Sequence, residues 1–133
     1  MTKRGAAQAI GLAVVGGILA ARMAAAQFVA PAPKPPDGAT LFRQQCATCH
    51  SLSLSEPIRQ GPSLSGILGR RAGKAEGFPY SPGLAGADFV WDEARLDTWL
   101  TNPQAVFPDA FMAYRQTKPE TRAAIIAYLK ELN

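Results

Sequence analysis

Apolar and polar positions are distributed unevenly along the chain. Residues 5–21 carry no charge and are mostly Ala, Gly, Val, Ile and Leu. Residues 28–37 hold four prolines in ten positions. Proline fixes φ and lacks a donor N–H, so this stretch predicts an extended spacer. Helical spacing begins after it. Asp37 stands as an N-cap, and Leu41, Phe42, Gln45 and Cys46 keep one face, which predicts a helix over residues 38–49. Residues 51–77 show little periodicity and much Gly, Pro and Ser, the composition of a loop. A second helix is predicted from Trp91-Asp92, with Asp92 as cap and Leu96, Trp99 and Leu100 as its apolar stripe. It ends at Asn102-Pro103, because a residue before proline avoids the helical region. Residues 104–116 read as irregular. Thr117-Lys118-Pro119-Glu120 has the spacing of a capping box, and a last helix follows with Ile125, Tyr128, Leu129 and Leu132 on one face. No run of alternating strands occurs, so the predicted class is all-α.

Three modest helices and two long loops give a domain this small a thin core. Loops of such length without structure of their own are uncommon unless they bind something. The pattern asks for a large internal object to pack against.

The charged ends of the uncharged run change its meaning. Lys3 and Arg4 precede it, and Ala24 and Ala26 stand just before Gln27 in an A-x-A pattern. These are the basic start, apolar middle and cleavage site of a secretory signal. The same run lies at the bottom of the roughly 17–25 apolar residues that a membrane-spanning helix needs, so a retained anchor is the alternative. Either reading exports the rest of the chain and leaves the N-terminus inside. The expected organisation is residues 1–26 as signal peptide or N-terminal membrane anchor, 27–37 as Pro-rich linker and 38–133 as the folded domain.

Composition narrows the function classes. The 133 residues include 14 Lys plus Arg against 10 Asp plus Glu, a formal charge of +4. Lys3, Arg4 and Arg22 belong to the leader, so the remainder is nearly neutral. No basic stripe is present, and nucleic acid is excluded as a partner. With 47% hydrophobic and 18% charged residues, the chain is not a disordered polyelectrolyte. Two Cys and one His cannot build a four-ligand structural zinc site or a multi-bridge disulfide scaffold.

Those scarce residues stand together as Cys46-Ala47-Thr48-Cys49-His50, the attachment signature of a c-type haem. Two thiols must reach two vinyl groups on one edge of the macrocycle, and the next residue must present an imidazole to the iron. A thioredoxin-like C-x-x-C would sit near a βαβ pattern, which is absent. A local disulfide would leave His50, the only His of the chain, unexplained. The iron then needs a sixth ligand or an open site. Met112 is the one methionine outside the leader, and His with Met gives a saturated, electron-transferring iron. Lys74 and Lys118 are minor alternatives, and a second His does not exist.

With these residues in place, the sequence resembles the class I cytochromes c of the mitochondrial and alphaproteobacterial type over nearly the whole domain. Gly38 and Phe42 precede the C-x-x-C-H motif. Gly61-Pro62-x-Leu64-x-Gly66, Gly69-Arg70-Arg71-x-Gly73 and Phe78-x-Tyr80-Ser81 follow in order. Trp91, Leu96, Leu100, Asn102-Pro103, Pro108 and Met112 come next, and Arg122 and Tyr128-Leu129 match the closing helix. The resemblance implies helices and long loops wrapped around one covalent haem c, with Cys46 and Cys49 as thioether anchors and His50 and Met112 as axial ligands. It implies that Pro62 offers its carbonyl to the His50 Nδ1–H, that Arg70, Tyr80 and Trp91 hold a haem propionate, and that Phe78 and Leu100 line the pocket. Gly38 and Phe42 are implied to pack on the last helix near Tyr128.

Some positions depart from the family pattern. Ala110 replaces a hydroxyl residue near a propionate, Leu84 replaces an Asn of a water-linked network, and Trp99 replaces a Tyr that reaches the Met sulfur. Gln45, Gln104, Ala105 and Phe111 stand where mitochondrial relatives ring the haem edge with lysines, while Arg59 and Lys118 persist. Docking through a basic ring is therefore expected to be weaker and less dependent on salt. The implied function is a monomeric, non-enzymatic one-electron carrier in the periplasm. It would be soluble or tethered through residues 5–21, and its partners would be redox proteins such as a quinol–cytochrome c reductase and a terminal oxidase or reductase. The alternatives are a haem subunit of a larger dehydrogenase or oxidase complex, and a gas-binding or peroxidatic haem protein with an open sixth position.

Overall fold

The computed structural model describes residues 36–132. The expected leader and most of the expected linker lie outside them. In chain order the elements are α1 (Gly38–Gln45), α2 (Pro82–Ala85), α3 (Glu93–Thr101), α4 (Pro103–Val106) and α5 (Pro119–Glu131). Among the described residues, extended pairing is limited to one isolated antiparallel bridge between Arg71 and Val90. The all-α class holds. No helix among the described residues is long and apolar enough to cross a membrane.

Asp37 caps α1 as expected, its carboxylate accepting from the Thr40 N–H at 2.8 Å. The helix is shorter than its predicted span, ending at Gln45 rather than near Cys49. The Cys46 and Ala47 N–H groups both reach the Phe42 carbonyl, and the Cys49 and His50 N–H groups both fold back on Cys46 O. The helical ladder opens into tight turns there, which gather both cysteines and His50 at the end of α1. Leu41, Phe42 and Cys46 are buried as predicted, but Gln45 is only half-buried.

The helix α1 crosses α5 closely because Gly38 has no side chain. A Cβ there would lie 2.2 Å from Ala124 O and 2.6 Å from Tyr128 Cβ. The Phe42 and Tyr128 rings meet at 5.8 Å, as the resemblance implied. The helix α3 starts at the Asp92 cap, which accepts from the Arg95 N–H at 2.7 Å, and stops at Asn102 before Pro103. It packs on α5 around Leu96, Ile125 and Leu129. Arg122 of α5 spans to Asp97 of α3 with contacts of 2.7 and 3.2 Å and also donates to Gln116 O at 2.9 Å. A charged side chain this deep keeps its partners, so it ties the two helices and the chain ahead of α5 at one point.

Three sequence expectations are corrected. The capping box at Thr117–Glu120 does not form. Pro119 occupies the first turn and Lys118, in extended conformation, becomes the N-cap without a side-chain bond. Leu132 is exposed, and Ile126 takes its place in the core. Residues 104–116 are not wholly irregular, because Pro103 starts the single turn α4 directly after α3.

The long loop from 51 to 77 is fastened to the chain entering α3. Trp91 and the loop exchange backbone bonds, Trp91 N–H to Arg70 O at 2.9 Å and Gly69 N–H to Trp91 O at 2.8 Å. Phe89, Trp91, Trp99 and Phe107 form a chain of edge-on and tilted rings with centroids 5.0 to 6.4 Å apart. Such geometry favours the electrostatics of aromatic rings and fixes α3 against the loop.

Candidate functional site

The helices and loops leave a largely apolar cavity of about 350 Å³. The turn after α1 delivers Cys46, Cys49 and His50 to its wall, and the segment after α4 delivers Met112. Arg70, Tyr80 and Trp91 line the same space, as do Phe78 and Leu100. Pro62 lines it too, so all ten predicted site residues converge on one cavity. Lys74 and Lys118 are not among its lining residues, and Lys74 instead donates to Ala85 O at 2.6 Å.

His50 is set from behind. Its Nδ1 stands 2.8 Å from Pro62 O, a bond in which the ring N–H donates. That leaves Nε2 as the lone-pair nitrogen. Burial pushes the imidazole below its ordinary pKa, nearby Arg70 acts the same way, and the Pro62 bond opposes them. A neutral imidazole with its second nitrogen occupied is the form that ligates a metal. Gly61 leaves room for the ring, since a Cβ there would stand 2.2 Å from His50 Cε1 and 2.6 Å from Nδ1. Cys46 is buried, and burial together with Cys49 pushes its thiol up to about 11.

Met112 is set in a comparable way. The Trp99 indole Nε1–H reaches its Sδ at 3.2 Å. A thioether sulfur has two lone pairs, so one is taken by the indole and one is free.

The polar wall is the informative part. The Arg70 guanidinium donates to Ser63 O at 2.8 Å and Ser65 O at 3.2 Å but has no carboxylate partner among the described residues. The Tyr80 hydroxyl accepts from the Ala75 N–H at 3.3 Å, and burial raises its pKa, which keeps it a phenol with a proton to give. Ser81 Oγ is buried and has no hydrogen-bond partner among the described residues. An uncompensated cation, a phenol and an orphan hydroxyl on one apolar cavity wall suit an occupant that brings anionic oxygens. Sequence reasoning gave Ser81 no role. Its one signal was its place beside Tyr80 in the Phe78-x-Tyr80-Ser81 motif.

The donor set fits a covalently held haem: paired thiols, an oriented imidazole, a thioether on the same cavity and polar groups suited to propionates. The sequence model of the cytochrome c family matches residues 36–133. The chain belongs to the cytochrome c family. It is 37% identical over 103 residues to cytochrome c of Ulva intestinalis, which covers 77% of this chain and 93% of that one. Cytochrome c of Theileria annulata is 38% identical over 104 residues, covering 77% of this chain and 90% of its own. Cytochrome c of Kluyveromyces lactis is 37% identical over 93 residues, with 69% of this chain and 84% of its own covered. As a cytochrome c, the protein holds one covalent haem c and carries electrons.

Proposed function

We propose that the protein shuttles single electrons between respiratory or periplasmic redox proteins, with His50 and Met112 as axial ligands of a low-spin iron, and that it is not an enzyme. The observation that carries this reading is the pair of hydrogen bonds that pre-set both ligands, Pro62 O on His50 and the Trp99 indole on Met112. The bound haem supplies the one-electron couple. The chain supplies everything that keeps the couple fast. Cys46 and Cys49 tie the group to the end of α1. His50 and Met112, each pre-set by its own hydrogen bond, would hold the iron with little freedom to shift, which would keep reorganisation small. Arg70, Tyr80, Trp91 and Ser81 offer charge and protons to the propionates. The aliphatic wall of Ile67, Leu84, Leu96, Leu100, Ile125 and Leu129 keeps water off most of the ring.

The cavity mouth suggests how partners are met. Among the cavity-lining residues, Gln45, Gln60, Phe111 and Ala113 carry no charge, and Phe111 is 72% exposed. A rim that keeps only Arg59 and Lys118 of the relatives' basic ring, around an exposed aromatic ring, favours short-range apolar contact over long-range steering. The partner class is a membrane or periplasmic redox complex, such as a quinol–cytochrome c reductase on one side and a terminal oxidase or reductase on the other. In this reading, residues 1–26 export the chain, 27–37 space it from the membrane if residues 5–21 are kept, and 38–133 work as a monomer in the periplasm.

Protein-film voltammetry of the native holoprotein tests the reading. A carrier gives one reversible one-electron wave that peroxide leaves unchanged. A peroxide-dependent catalytic current from freshly prepared protein would assign it to the peroxidatic alternative. Intact mass of the periplasmic and membrane fractions reads the number of haems and the fate of residues 1–26 together.

A further inference from the structure

Met112 sits in a stretch that the backbone itself does little to hold. Ala110 N–H reaches Phe107 O at 2.9 Å, and Gln116 N–H reaches Leu100 O at 2.8 Å. Between them, among the described residues, no backbone-to-backbone bond fastens residues 111–115. The fastening comes from side chains. Gln104 Nε2 donates to Met112 O at 2.6 Å and to Ala110 O at 3.1 Å. The same amide's Oε1 accepts from the Arg115 guanidinium at 3.4 Å. This set assigns the amide's orientation, because a flipped amide would turn its oxygen onto two carbonyl oxygens.

Gln104 has a firm seat. It is the second residue of α4, it follows the fully buried Pro103, and the Phe107 N–H closes the turn onto Pro103 O at 2.9 Å. Its reach across to residues 110 and 112 therefore links a fixed turn to a loop with no backbone-to-backbone bond of its own over residues 111–115, which is otherwise held by side chains such as Tyr114, whose hydroxyl donates to Gln45 Oε1 at 2.6 Å. Trp99 and Gln104 act on different parts of Met112. The indole addresses the sulfur, and the amide addresses the peptide carbonyls on either side of Phe111.

We propose that Gln104 is a positioning residue for the Met112 ligand: its amide clamps the carbonyls of Ala110 and Met112 and so holds the thioether sulfur inside the cavity. The inference rests on Met112 being the axial ligand. Without the clamp, both carbonyls turn to water and residues 110–112 carry the sulfur outward more easily, so an exogenous ligand replaces it more readily.

Imidazole titration of the ferric holoprotein, followed by loss of the sulfur-to-iron charge-transfer band, tests this. In the exchange the sulfur–iron bond breaks and an imidazole nitrogen–iron bond forms, with no change of oxidation state. Gln104→Ala should be half-saturated at roughly 5- to 30-fold lower imidazole, the effect of one or two ordinary hydrogen bonds on an equilibrium. Gln104→Glu keeps the length of the side chain but has no N–H to give, and should be weakened at least as much. Asp92→Ala, which removes the α3 cap, should lower the guanidinium unfolding midpoint yet leave the imidazole constant within about twofold, as expected for a distant site. Wild-type imidazole constants in both Gln104 variants, with the band present in the wild type, overturn the clamp alone. An equal shift in Asp92→Ala also overturns it, since general loosening then explains the effect. A wild-type ferric protein without the band overturns Met112 ligation and the clamp together.

Discussion

A methyl group at Gly61 would test the seat of His50 directly. Its Cβ would stand 2.2 Å from Cε1, 2.6 Å from Nδ1 and 2.8 Å from Nε2 of the imidazole, more than an ångström inside ordinary contact at the nearest atom. The ring has little freedom to yield, since Nδ1 is bonded to Pro62 O at 2.8 Å and the residue is packed into the cavity wall. Either the ring tilts and that bond is lost, or residues 60–62 move away and carry Pro62 with them. Overpacking of this kind costs about 1–3 kcal/mol. The lost hydrogen bond adds about 0.5–1.5 kcal/mol. Gly61→Ala holoprotein should therefore lose about 2–4 kcal/mol, a fall of roughly 8–30 °C in melting temperature for a domain of this size. The reduction potential should rise, because an imidazole freed from its carbonyl is a poorer donor to ferric iron. Tryptophan fluorescence melts and film voltammetry read the two effects. A Gly61→Ala protein with the melting temperature and potential of the wild type would refute the claim that the close fit of Gly61, His50 and Pro62 sets the imidazole.

Other consequences are as specific. Gly38→Ala should lower the melting temperature by the equivalent of about 1–3 kcal/mol, because the added methyl meets Ala124 O and Tyr128 Cβ at the α1–α5 crossing and must part the helices. Trp99→Phe should keep the ring packing against Trp91 but remove the N–H that reaches Met112 Sδ. The sulfur then donates more fully to ferric iron, and voltammetry should show a lower potential. The rate of reduction by a purified quinol–cytochrome c reductase should change by less than about tenfold between low and physiological salt in stopped-flow traces, as a sparsely charged docking rim requires.

Much of this architecture was legible in the residue pattern, for identifiable reasons. Cys46, Cys49 and His50 are adjacent in sequence because haem attachment demands it. The α3 boundaries follow from local chemistry, an Asp cap at one end and Asn-Pro at the other. Local signals failed where two of them competed. Thr117 and Glu120 have capping-box spacing, but Pro119 takes the first helical position and moves the cap to Lys118. The helices α2 and α4 are single turns begun by proline, too short to show a period. Other features depend on contacts that no local pattern encodes. The Arg122–Asp97 pair spans 25 positions, and the Trp99–Met112 bond spans 13. Whether an indole reaches a sulfur depends on how α3 is rotated against the cavity. The Ser81 hydroxyl and the Gln104 amide acquire meaning only once their surroundings are assembled.

The sulfur-to-iron charge-transfer band of the ferric protein tests the central claim most directly. Wild-type holoprotein at neutral pH should be low-spin and show the band, and Met112→Ala should lose it while keeping the covalent haem in its intact mass. A high-spin ferric spectrum without the band in the wild type, or a band that survives in Met112→Ala, would contradict His50/Met112 ligation and the electron-carrier reading built on it.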